Sequence, residues 1–467
     1  MYKKNIVFLS LVIILIVTGS CKKQLALTPT DTFNELNAYL SVGDIQKGVY
    51  TAYSRYDYEN TMFLNAILSD EIKIGLDNAG QGQFEYKWTY GSDATTGGGV
   101  VAAFSSMYSM IDQINRVLAA ADNIKVTGTD ASILQGLKGQ LLTLRALGHF
   151  ELLERYSKTY DPAGAGIAYM TKSDLFTKPP RGTMAETVNQ IEGDLATARP
   201  LLTNPTVATF KDTLINQITV SAIQARVSLY KRDWQKAIDN STIVINSAVR
   251  PLVTGQTFTD IWTDVNKTSE VLFRIVRTGA SAGAIFTTTG GQVYYSPSDK
   301  LISQYAATDI RKTAYFSTLT SGGATKPIVK KFSSGPLGGG IVDVKAIRIA
   351  EMYLIRAEAN AELSQLTPAA ADLNTLRAAR ITGYVNQTYT DKATLITDII
   401  NERYKELAFE GFRFFDLKRR GLPVTRIASD VQSTQWLTLP AGDIRFTLPL
   451  PEFEILANPN SSQNPGY

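Results

Sequence analysis

The stretch Asn401–Gly421, NERYKELAFEGFRFFDLKRRG, sets Glu402, Glu406 and Glu410 four residues apart, then packs Arg413, Arg419 and Arg420 among Phe412, Phe414 and Phe415. Four-residue spacing places the three carboxylates on one helical stripe. The pattern predicts a helix from about Asp391 to Glu410 that stops at Gly411. Ile396, Ile400, Tyr404, Leu407 and Gly411 share one face of it, the expected core stripe. The glutamates share a neighbouring stripe with Leu395 and Ile399, and carboxylates among apolar neighbours need partners. Arg348, Arg356, Arg377 and Arg380 on nearby predicted helices, with Arg403 and Arg413 in the segment itself, can supply bidentate ion pairs.

A general acid/base pair and a nucleic-acid patch are the competing readings. The segment provides no open, substrate-sized site for the first. Against the second, the formal charge is only +4 over 467 residues, and Lys and Arg are scattered among Asp and Glu. The expectation is a helix junction locked by ion pairs.

Working outward, apolar residues at helical spacing run through 41–56, 102–124, 131–156, 184–202 and 216–245. In the last of these, small Ala222 and Ala225 precede Leu229 and Tyr230. A turn at Lys231 to Asp233 follows, then Trp234 and Ala237, as in one tetratricopeptide-type hairpin. Helices resume at VKAIRIAEMYLIRAEANAEL; the next is expected to begin at Thr367-Pro368 and to end near Gly383. Between Asn78 and Gly99, and from Arg250 to Val344, Gly, Thr, Ser and Tyr rise and periodicity fades. There SEVLFRIVR and KPIVKKF read as strands.

These loop-rich insertions are where binding residues usually sit. FEYKWTYGS holds Tyr86, Trp88 and Tyr90 at alternate positions, so in an extended segment all three point the same way. GGQVYYSPSD offers Tyr294 and Tyr295. Exposed aromatic faces suit stacking on sugar rings or docking of peptide side chains; the alternative is that the rings pin their loops to the core.

Other chemistry finds little support. The one histidine, His149, shares a helical face with Arg145 and Leu152, has no accompanying nucleophile motif, and reads as a packed residue. The glycine-rich GSDATTGGG and SGPLGGG lack the GK[ST] of a phosphate loop. No Cys/His cluster or EF-hand spacing exists for a metal. At the N-terminus, Lys3 and Lys4 precede an apolar run from Ile6 to Val17, then Thr18, Gly19, Ser20 and the sole cysteine, Cys21. This predicts a lipoprotein signal peptide over 1–20 and lipidation of Cys21, which makes that thiol an anchor rather than a nucleophile.

Together these pieces resemble the SusD/RagB family of outer-membrane nutrient-binding lipoproteins of Bacteroidota-type bacteria. The resemblance rests on Cys21, GVYTAYSRY, MYSMIDQINRVL, GQLLTLRALGHFELLERY and ARVSLYKRDWQKAI, and on Asp309 to Arg311. AEMYLIRAEANAEL, LNTLRAAR, the opening stretch and the closing QNPGY are its most specific parts. It implies a mainly α fold: a tetratricopeptide-like helical scaffold with a loop-rich, irregular ligand-facing half containing a few short strands.

The expected organisation is a tether over 21–32 and a single domain over 33–467. Its helical frame would occupy about 33–77, 100–249 and 345–420, its insertions about 78–99 and 250–344, and its wrapping tail 421–467. The resemblance further implies a protein that is not an enzyme and needs no cofactor or metal. It would sit at the outer membrane by its lipid anchor, facing the exterior, and pass oligosaccharides, or in some branches peptides, to a TonB-dependent, SusC-like transporter. A secreted glycoside hydrolase and a helical-repeat adaptor are the alternatives from other classes. Lys22, Lys23 and Gln24 follow Cys21 where surface-exposed members often carry acidic residues.

Overall fold

The computed structural model describes residues 38–174, 176–279, 282–333 and 341–467. The predicted signal peptide, Cys21 and the tether over 21–32 lie outside the described residues. No helix among the described residues is long and apolar enough to cross a membrane.

The frame is a series of packed helical hairpins. Val42–Arg55 starts it with a capping box, in which the Ser41 hydroxyl accepts from Asp44 N while the Asp44 carboxylate accepts from Ser41 N. It packs on Gly98–Asn123, which packs on Gly128–Tyr156, which packs on Met184–Ala198. The hairpin Gln217–Tyr230 and Trp234–Asn246 turns at Lys231–Asp233, with Arg232 at φ +62° and the Asp233 carboxylate capping Lys236 N. Ala222, Ala225 and Ala237 are buried there, so the two helices approach closely, as the sequence predicts. Trp234–Asn246 then packs on Ile349–Glu362, which also packs on Leu366–Arg380 and Lys392–Glu406.

Strands come in antiparallel pairs. Phe316–Ser321 and Ala324–Val329 form a hairpin across Gly322-Gly323, both at positive φ, the requirement of a two-residue primed turn. Val271–Ile275 pairs with Val344–Arg348. That pairing corrects the sequence reading, which ran a helix from Val344. All five residues of Val344–Arg348 are buried beside Val271–Ile275, a strand the sequence does anticipate within SEVLFRIVR but whose pairing with this segment local periodicity does not reveal, and the helix starts at Ile349. The following helix spans Leu366–Arg380, beginning and ending earlier than expected. Thr367 is already inside it and Gln365 is its uncapped N-cap.

The opening stretch also ends its helix early. Lys392–Glu406 is followed by Leu407, then by Phe409 at φ +64° and Gly411 at φ +94°. A Cβ on Gly411 would lie 3.1 Å from Thr61 Cγ2 in a backbone region that side chains disfavour, so glycine suits this turn on both counts. The turn carries Glu410 off the helix, yet keeps it beside the other two glutamates in one buried network. Glu402 accepts from Arg311 Nη1 (2.6 Å) and Arg377 Nε (2.7 Å). Glu406 accepts from Arg311 (3.1 Å), Arg348 (3.0 Å) and Arg380 (3.0 Å). Glu410 accepts from Arg348 Nε (2.7 Å) and Lys331 Nζ (2.7 Å).

Glu270 and Asp309 complete the cluster, on Arg380 and Arg348 and on Arg311 respectively. Five carboxylates thus face five buried cations, the matched condition under which buried charge is tolerated, and half-buried Lys405 adds a contact to Glu402 at 3.0 Å from the rim. Of the expected partners, Arg348, Arg377 and Arg380 join it. Arg356 pairs with Asp372, Arg403 with Asp416 and Arg413 with Asp70. Arg311, Lys331 and Glu270 were not anticipated, because they arrive from the loop-rich insertion. Lys331 Nζ also lies over the rings of Trp262 (4.1 Å) and Tyr315 (3.8 Å).

The tail folds back onto the frame. Asn464 donates to Tyr156 O and Leu448 O, and Arg181 donates to Ser462 O and Asn464 Oδ1.

Candidate functional site: the loop face

The two insertions singled out by sequence meet in space. Ile72–Ile74 pairs antiparallel with Tyr295–Pro297, and the ladder continues through Gly75 N to Tyr294 O (2.9 Å) and Asp77 N to Val293 O (3.2 Å). Gly75 is required here, since a Cβ would lie 2.2 Å from Val293 O. Asp77 accepts from Val293 N at 2.8 Å and, with both oxygens, from Lys326 Nζ of the 316–329 hairpin. Those bonds hold its carboxyl below the usual range. Asn78 donates to Gln81 O and Tyr294 O and accepts from Gly80 N and Gln83 Nε2. Three segments distant in sequence are thereby tied together, and within them Leu76, Gln81, Phe84 and Gln292 are exposed and Tyr294 is half-buried.

The five loop aromatics differ in exposure. Tyr86, Trp88, Tyr90 and Tyr295 are all buried, so as exposed stacking platforms they are corrected. The 84–92 stretch is not extended: Gln83–Tyr86 is a helical turn and Trp88 sits at φ +56°, which rolls the rings inward. Their polar atoms find backbone carbonyls. Trp88 Nε1 donates to Leu68 O at 2.9 Å, and the Tyr86 and Tyr90 hydroxyls donate to Asp430 O and Arg445 O. The Arg426 guanidinium lies between Tyr86 (4.0 Å) and Trp88 (4.1 Å) and donates to Ile67 O and Ser69 O. Arg426 and Trp88 together satisfy carbonyls at the end of the Tyr58–Leu68 helix. Burial lowers the Arg426 guanidinium to about 10.

Tyr295 packs against Phe63, with ring centroids 5.5 Å apart. Tyr294 alone of the five keeps a partly open ring. Phe84 was missed, although it belongs to the same alternate series, because the helical turn that buries Tyr86 leaves Phe84 facing outward.

Neither acid/base candidate is open. Glu402, Glu406 and Glu410 are buried and bonded to cations. Burial would raise the Glu406 carboxyl, but Arg380, Arg348 and Arg311 outweigh it and hold it far below the usual range. His149 is fully buried and stacked on Tyr169 at 3.8 Å. Its Nδ1 lies 2.8 Å from Arg145 O and its Nε2 accepts from Met170 N, so the ring is neutral with its proton on Nδ1. Burial pushes its pKa down to about 3. Among the described residues, no group of three or more His, Cys, Asp or Glu side chains could hold a metal ion.

Comparison with known proteins accords with this architecture. Residues 31–229 match the family described as "Starch-binding associating with outer membrane", and residues 283–467 match the SusD family. SusD-like protein P2 of Formosa agariphila is 25% identical, with all of both chains covered. A SusD superfamily protein of Bacteroides thetaiotaomicron superposes with TM-score 0.80 at 24% identity, over 91% of this chain and 100% of the other. A putative sugar binding protein of Bacteroides vulgatus superposes with TM-score 0.77 at 23% identity, over 92% and 99%. With both halves matched and the hairpin frame shared, the chain belongs to the SusD/RagB family.

Proposed function

We propose that this protein is a non-catalytic, lipid-anchored outer-membrane lipoprotein that captures oligosaccharides on its loop face and passes them to a TonB-dependent transporter. The observation that carries the reading is the match of residues 31–229 to a starch-binding, outer-membrane-associating family, on a chain whose insertions converge on a face bearing Tyr294 and Phe84. A partly open ring offers an apolar plane to the C–H face of a sugar, while Gln81, Gln292 and the surrounding backbone supply donors and acceptors. The rigid frame behind it, locked by buried ion pairs, holds the loops in place without a large ordering cost on binding.

The test is a glycan and peptide binding screen on the full chain, followed by Tyr294→Ala and Phe84→Ala. Loss of glycan binding with an unchanged melting temperature supports the reading. Binding confined to peptides would move the cargo to peptides, and glycan cleavage by the purified chain would overturn the non-catalytic role. Cys21→Ala should release the protein from membranes, and its retention there would refute the anchor.

A further inference from the structure

A cleft of about 530 Å³ opens between the Gly98–Asn123 helix, the segments 168–174 and 177–179, and the short Glu452–Ala457 helix. Its lining includes none of the loop-face residues named above. Phe104, Tyr108 and Ile111 follow one another at helical spacing along one wall; Phe104 and Ile111 are buried, so Tyr108 presents the ring, backed by Phe104 at 4.7 Å. The Tyr108 hydroxyl donates to Ala168 O at 2.8 Å, which holds the ring and leaves its oxygen able to accept. The C-terminal helix adds Phe453, 51% exposed, and Glu454, whose Oε1 accepts from Asn458 Nδ2. Asp112, which already accepts from Arg116 and Ser173, and Asp174, which accepts from Phe176 N and Thr177, keep further lone pairs, and Lys172 and Lys178 provide donors.

The volume is that of a small-molecule site. Its walls combine flat rings with nearly balanced acceptors and donors, which suits a neutral polyhydroxylated ring better than a strongly charged ligand. The larger cleft, of about 790 Å³ beside Ile396 and Tyr404, is a poorer candidate, because the one aromatic in its lining, Tyr404, is buried with Arg413 over its ring, and its cations are paired. Arg413 and Lys300 hold Asp70, while Arg420 and Lys392 hold Glu362.

We propose that the Phe104–Tyr108–Phe453 cleft is a second saccharide site, which takes a short neutral glycan independently of the loop face. It rests on the carbohydrate reading above, and the test separates the two. Titration calorimetry of the full chain with maltotriose, cellotriose, xylotriose and laminaritriose would be repeated on Phe453→Ala, on Ser105→Trp, which fills the cleft from an exposed helical position, and on Tyr294→Ala. The expected result is two binding events for at least one of these sugars. Phe453→Ala and Ser105→Trp should each weaken one event by at least about tenfold, as loss of a ring contact implies. Tyr294→Ala should affect only the other event. Events abolished by Tyr294→Ala and indifferent to both cleft variants would overturn the second site and leave the capture function standing. No heat from any of the four sugars, with melting temperatures unchanged, would overturn both.

Discussion

Replacing Glu406 by Gln changes one atom in a side chain that accepts hydrogen bonds from Arg311, Arg348 and Arg380 at 3.0–3.1 Å and is sealed from solvent. The substitution leaves four carboxylates against five buried cations, and the new amide points two N–H donors at guanidiniums that can only donate. Removing one partner of a buried ion pair typically costs about 3–5 kcal/mol, most of it the penalty of the charge left behind. At roughly 2.1 cal/mol/K of unfolding entropy per residue, a chain of 467 residues loses about 4 °C of melting temperature for 4 kcal/mol. Calorimetry and urea unfolding at pH 7 measure this directly. Lys47→Ala serves as the control, because its pair with Asp44 lies at the surface, where solvent screens it. A Glu406→Gln protein within about 1 kcal/mol of the parent would refute the matched-charge argument. Glycan affinity of the folded protein should be unaltered, since the network is buried inside the frame and none of its side chains is among the exposed loop-face residues.

Three further outcomes follow from the same geometry. Glu71 is buried, with Oε1 accepting from Phe409 N and Oε2 without a partner among the described residues, and burial raises its carboxyl to about 8. An acid whose folded pKa is raised costs nothing below its unfolded value and destabilises progressively as pH climbs toward the folded one. Glu71→Gln should therefore be stabilising by at least about 1 kcal/mol at pH 8 and near neutral at pH 4.5; equal effects at both pH values would refute the assignment. Trp88→Ala should cost about 3–5 kcal/mol by opening a cavity and freeing Leu68 O, with glycan affinity of the folded fraction retained. A loss of affinity at full stability would return Trp88 to the ligand. The single imidazole of His149 should show no NMR titration between pH 5 and 8, and a midpoint near 6.5 would show that it is not buried neutral.

Much of this protein was legible in its sequence because helices announce themselves locally. Apolar periodicity located the frame, the small residues Ala222, Ala225 and Ala237 marked a crossing, and carboxylates on an apolar stripe foretold a buried ion-pair junction. These signals depend on residues within one or two turns of each other. What only the tertiary structure decided involves partners far apart in the chain. Val344–Arg348 is a strand because Val271–Ile275 lies beside it. Arg311 and Lys331 complete the network from an insertion with no periodicity of its own. The aromatic loop reversed its reading for the same reason. Alternation placed Tyr86, Trp88 and Tyr90 together, but the end of the Tyr58–Leu68 helix left carbonyls needing donors, and Trp88 and Arg426 turn inward to meet them. Unmet backbone hydrogen bonds in a buried helix end outweigh the exposure of a ring, and that choice is made only once the chain has folded.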